Sequence, residues 1–211
     1  MSLIAASARK TMPRYRQNTY GLVAIILHWT IALLFLSQIV FGFSMEQVKS
    51  LALQFELIQW HKSFGFLILA LALLRLVWRL AAGRPPQSAA LSGLERAAAE
   101  TVQWILLAAT IAVPLAGWAL ASTSTLGIPS FAFNLVVVPH LPLTPSDAAE
   151  AFWGEAHELL AYGAGLLALG HAAAALRHHF LLRDDVLVRM LPGRAARPAT
   201  HRVTLETNDD V

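Results

Sequence analysis

The chain has 211 residues, of which 56% are hydrophobic and 14% charged, with a formal net charge of +3, eight histidines and no cysteine. That balance excludes an ordinary soluble domain and points to a membrane protein. Without cysteine there is no thioether-attached haem, no iron–sulfur cluster held by this chain and no thiol redox chemistry. The positive charge comes without any nucleic-acid-binding motif, so no nucleic-acid partner is expected.

Residues 1–19 read as a basic cytoplasmic tail carrying Arg9, Lys10, Arg14 and Arg16. Apolar stretches then run from Tyr20 to Phe43, Phe64 to Leu80, Val102 to Ala121 and Gly154 to Leu176, each near the roughly 20 residues a spanning helix needs. The first is too long for the apolar region of a cleaved signal, about 7–15 residues, and is expected to stay in the product. After the second, Arg84-Pro85-Pro86-Gln87-Ser88 breaks the chain. Pro114 should kink the third helix, where Gln103, Trp104 and Trp118 read either as interfacial anchors or as quinone contacts. Residues 122–153 form an outer loop in which Phe131, Phe133 and Val136-Val137-Val138 suggest a short re-entrant or amphipathic piece, with Pro139 and Pro142 stopping regular helix beyond it. Residues 193–211 lose apolar periodicity and read as a disordered tail. The fold class predicted is all-α, a transmembrane four-helix bundle over 20–192.

Lys and Arg crowd the cytoplasmic side of membrane proteins. Besides the first tail, Arg75, Arg79, Arg84 and Arg96 border the second connection, and Arg177, Arg183, Arg189, Arg194, Arg197 and Arg202 follow the fourth span. Lys49 and Lys62 fall on the other side, among Glu46, Glu56, Asp147, Glu150 and Glu155. Both termini are therefore expected in the cytoplasm, with the basic face against membrane lipid.

His157 and His171 lie 14 positions apart in the fourth span. At about 100° and 1.5 Å per residue they share one helix face, roughly 21 Å apart along the axis. With helix directions alternating, His28 is level with His171 near the cytoplasmic face and His61 is level with His157 near the outer face. Ionisable groups inside spans are costly and call for a partner. Zinc takes three or four protein ligands at one point, which two separated pairs do not provide. A porphyrin iron needs two axial ligands, so two noncovalent haem b groups fit the pairs His28/His171 and His61/His157. Gly65, Gly117, Gly163, Gly165 and Gly170 would admit a flat macrocycle or simply a neighbouring helix.

These residues resemble the bacterial cytochrome b561 group of small di-haem membrane proteins. The likeness is carried by Ile26-Leu27-His28-Trp29, His61-Lys62-Ser63-Phe64-Gly65, His157-Glu158-Leu159-Leu160-Ala161 and Gly170-His171 through His178-His179, with further similarity in Trp118 to Phe133 and Leu187 to Pro192. It covers roughly Tyr20 to Pro192. The resemblance implies a bacterial inner-membrane oxidoreductase with His28, His61, His157 and His171 as axial iron ligands. It further implies electron transfer between an outer-face donor and ubiquinone or another quinone, with superoxide as the sharpest donor. The alternative it leaves open is a cytochrome b subunit serving a periplasmic redox protein or a dehydrogenase.

Around that frame, Arg75 and Arg79, one turn apart, and Arg177 read as haem-propionate contacts or as lipid-phosphate anchors. Lys62 reads as a charge that steers superoxide, or as an interfacial lysine. Glu158 reads as a water-binding or helix-capping residue, or as a partner for His157. His178 and His179 divide between a solvated pair and a quinone or proton contact, while His140 and His201 read as solvated.

Overall fold

Four long helices carry the apolar stretches: α1 (Leu22–Glu46), α2 (Leu51–Ala82), α3 (Gly93–Thr123) and α4 (Asp147–Arg177). The computed structural model describes residues 20–82, 88 and 91–192. The expected tails at 1–19 and 193–211 lie outside the described residues, and so do Arg84 and its neighbours at 85–87, Arg194, Arg197, His201 and Arg202. All four helices are long and apolar enough to cross a membrane.

The helices outrun the apolar stretches. α2 starts well before Phe64 because Gln54, Glu56, Gln59, His61, Lys62 and Ser63 lower the hydropathy of 51–63, yet no Gly or Pro interrupts the helix there. Its 32 residues make about 48 Å of helix against a hydrocarbon core of about 30 Å, so its polar first third reaches past that core. α3 begins at a capping box in which Ser92 and Glu95 satisfy each other's backbone N–H, and it runs through Pro114 unbroken. α4 starts after Ser146, whose hydroxyl accepts from the Ala149 N–H. It ends in a π-helical turn, His178–Leu182, closed by Arg183 in the left-handed region (φ 55°).

The segment before α4 departs from expectation. The expected re-entrant or amphipathic piece is built as a hairpin, β1 (Ser130–Ala132) antiparallel to β2 (Val136–Val138), with Phe131 opposite Val137. An all-α description therefore needs this small sheet added. Phe133 and Asn134 both have positive φ (53° and 56°) inside a turn closed by Leu135 N–H to Ala132 C=O at 3.0 Å, the pattern of a type I′ turn. Two α2 side chains fix the hairpin. Gln59 donates to Pro129 C=O and accepts from Phe131 N–H, both at 3.1 Å. Ser63 accepts from Phe133 N–H at 2.9 Å, and its one hydroxyl proton is shared between Phe131 C=O at 2.9 Å and Gln59 C=O at 2.7 Å. The connection itself is shorter than the expected 122–153, because Ser122 and Thr123 remain in α3 and α4 begins at Asp147.

α4 packs chiefly on α3 and only lightly on α1, while α1 lies along α2 and α2 along α3. A small core of Phe35, Val113 and Ala164, extended by Ile39, Ala109 and Ala161, sits at mid-height. Leu33, Val40, Leu80 and Leu166 point outward as a lipid-facing surface would. At the end of the bundle opposite the hairpin, the segment after α4 folds back, with Met190 C=O accepting from Trp29 Nε1 at 2.7 Å and Arg189 C=O from Tyr20 N–H at 3.3 Å.

Candidate functional site

His61 of α2 and His157 of α4 face each other across the lightly packed side of the bundle, with ring centres 6.0 Å apart and planes at 89°. His157 lies against Gly117 of α3, where an added Cβ would stand 3.0 Å from its Cε1. Its Nδ1–H donates to Val113 C=O at 2.9 Å. That bond fixes the tautomer and leaves the Nε2 lone pair for another partner. His61 lies against Gly42 of α1 and stacks on Phe41, with ring centres 6.4 Å apart and planes 3° from parallel. Beside the pair is a small, partly open cavity of about 50 Å³, lined by Phe35, Gln38, Gly65, Val113 and both imidazoles.

This geometry fits a bis-imidazole iron site. Two nitrogens bound at about 2 Å each to one metal place the imidazole centres about 6 Å apart, the spacing found. Of the glycines singled out in the sequence, Gly117 receives the His157 ring and Gly165 the side chain of Ile39, whereas Gly65, Gly163 and Gly170 have no protein neighbour where a Cβ would stand.

Toward the other end, His28, His171 and Arg75 cluster as mutual electrostatic neighbours. Arg75 Nη2 donates to His28 Nδ1 at 3.0 Å. An imidazole accepting at Nδ1 carries its proton on Nε2, so binding a metal through Nε2 requires Arg75 to leave. The two arginines expected to act together lie within electrostatic reach of each other, Arg75 on His28 and Arg79 4.0 Å above the ring of Trp104. Trp104 is thus a stacking partner for that guanidinium. Arg177 is exposed at the last turn of α4, within electrostatic reach of Glu95.

Lys62 is half-buried and makes no hydrogen bond or ion pair among the described residues. Glu158 is exposed; the partner of His157 is a backbone carbonyl of α3. His178 is not a solvated neighbour of His179 but is buried, with Nδ1 2.5 Å from Asp184 Oδ2. His140 is exposed and touches Ile128 C=O at 3.4 Å. Trp118 donates to Pro139 C=O at 3.0 Å and packs edge-on to Phe66. Val113 and Gly42 escaped sequence reasoning, since neither a backbone acceptor nor an isolated glycine announces itself.

The chain matches the prokaryotic cytochrome b561 family over residues 19–193. It is 28% identical to cytochrome b561 homolog 2 of Escherichia coli (strain K12) over 173 residues, covering 82% of this chain and 90% of that protein. It is 29% identical to the probable superoxide oxidase CybB of Yersinia pestis over 177 residues, covering 82% and 96%. Cytochrome b562 of Cereibacter sphaeroides is 29% identical over 183 residues, covering 83% and 96%.

Proposed function

The chain belongs to the prokaryotic cytochrome b561 family of membrane haem b electron carriers, and we propose that it moves electrons from an outer-face donor, superoxide, to a membrane quinone. The observation that carries this reading is the His61/His157 pair, whose spacing suits two axial ligands on one iron. We assign the second haem to His28 and His171, and place the chain in the bacterial inner membrane with both termini cytoplasmic and the hairpin on the outer face. The basic segments around Arg75, Arg79, Arg96 and Arg177 support that orientation.

Each haem, when bound between two imidazoles, supplies a reversible one-electron carrier with no open iron position. The chain does the rest. Val113 C=O holds His157 in the tautomer that offers Nε2, and the stacking of Phe41 holds the plane of His61. Lys62, adjacent to His61, draws a small anion toward that end of the site. Two superoxide ions give up one electron each and leave as dioxygen; one quinone takes up both electrons and two protons to become the quinol.

The test is a reduced-minus-oxidised spectrum and haem-per-chain determination on purified wild type, His28→Ala and His61→Ala, followed by rapid mixing with superoxide and a soluble quinone. Two b haems, one lost in each variant, and quinol formed without an added protein support the proposal. Haem-free folded protein refutes it, and reduction seen only with a protein partner moves the chain to the subunit reading.

A further inference from the structure

His157 and His61 are held by the same device on opposite helices, with one part missing. On α3, the ring of His157 packs on Gly117 and its Nδ1–H is taken by Val113 C=O, four residues earlier. On α1, an added Cβ at Gly42 would lie 3.5 Å from His61 Cε1 and 4.0 Å from Nδ1, and the residue four positions earlier is Gln38. His61 Nδ1 and Gln38 Oε1 are both buried without a hydrogen-bond partner. One is a donor in the tautomer that offers Nε2, the other is an acceptor, and both residues line the same cavity.

The two helices differ for a physical reason. On α3, Val113 C=O uses the lone pair left over from the helix ladder to accept the His157 Nδ1–H at 2.9 Å. On α1 no carbonyl takes the His61 Nδ1, and Leu34 C=O and Val40 C=O already accept the Ser37 and Ser44 hydroxyls, which leaves a side chain to supply the acceptor. An amide in the interior of an apolar span needs such a reason, because an unpaired polar atom there is costly. Gly42 leaves the space beside Nδ1 open for it.

We propose that Gln38 is the positioning residue of His61: its Oε1 accepts the Nδ1–H when iron takes Nε2, orienting the ring and raising its basicity. The inference rests on the haem ligation proposed above. A hydrogen bond from the far nitrogen makes the imidazole a stronger donor, which favours ferric over ferrous iron and lowers the reduction potential.

The experiment is a redox titration of full-length protein carrying Gln38→Leu or Gln38→Glu, with His28→Ala introduced so that the haem held by His61 is read alone. Gln38→Leu should keep haem content and raise the potential by about 59 mV, an about tenfold shift in the one-electron ratio. Gln38→Glu retains an acceptor oxygen and should stay at or below the parent's potential. A Leu variant with full haem content and an unchanged potential overturns the proposal, as does a Glu variant shifted upward like Leu. Failure of the parent to bind haem would instead overturn the ligation itself, so the two are told apart before titration begins.

Discussion

The guanidinium of Arg75 and the imidazole of His28, 47 positions apart in sequence, meet at 3.0 Å through Nη2 and Nδ1. Arg75 can only donate, so His28 is held in the tautomer opposite to that of His157. The two ends of the bundle are thus prepared differently: His157 offers a lone pair at Nε2, while His28 does so once Arg75 moves away. A guanidinium freed beside a haem finds its natural acceptor in a propionate carboxylate.

Arg75→Leu should therefore lower haem occupancy at His28/His171 and leave His61/His157 occupied. A charge-assisted hydrogen bond is worth about 1.5–3 kcal/mol, so affinity at that site should fall by roughly one to two orders of magnitude. Haem per chain measured during dilution into haem-scavenging apomyoglobin checks this. Retention equal to wild type would show that Arg75 serves packing alone.

Gly117→Ala probes the other end. The new Cβ would stand 3.0 Å from His157 Cε1 and 3.1 Å from Nδ1, tighter than ordinary contact, so the ring has to give by a few tenths of an ångström against its bond to Val113. The expected result is loss of one b haem, with helix content by circular dichroism unchanged. Gly117→Ala with two haems and wild-type spectra would mean that the imidazole shifts without leaving its partner.

The main features of the helices were legible in the sequence because twenty apolar residues in a row have few other fates. The histidine levels were legible for the same reason: a straight helix converts sequence spacing into height, and the closeness of His61 and His157 follows. What stayed hidden depends on contacts between distant residues. The hairpin is one example: its turn places Phe133 and Asn134 at positive φ without the usual Asn-Gly signal, and its anchors Gln59 and Ser63 sit about 70 positions away on α2. The neighbours of Arg75 and Arg79 are another, since spacing put the two one turn apart but could not show that one meets His28 and the other Trp104.

Ser63→Ala should release the hairpin. Ser63 is 2% exposed, and its loss leaves the Phe133 N–H and the Phe131 C=O without their partner. Stranding such groups costs about 1–3 kcal/mol each. Limited proteolysis should cut faster within 130–138 while α1–α4 remain protected, and the melting temperature in detergent should fall. Wild-type cleavage rates would assign the hairpin's order to Gln59 alone.

Lys62 immediately follows His61 on a helix, so successive residues point about 100° apart and its ammonium lies beside the imidazole pair rather than within it. The basic charges proposed for the outer face are Lys49 and Lys62, against Glu46, Glu56, Asp147, Glu150 and Glu155. An anion arriving there meets net repulsion except close to Lys62. Half-buried, with no ion pair among the described residues, it is the nearest attractive charge for that anion, and salt screens the attraction. Lys62→Gln should consequently slow the reaction with superoxide by about tenfold at low ionic strength, within the range for electrostatic steering, and flatten its dependence on salt. Haem content and potentials should stay as in wild type, since the side chain does not hold the ring. Stopped-flow rates across a salt series decide the matter: parallel slopes for the two proteins would show that the lysine only anchors α2 at the interface.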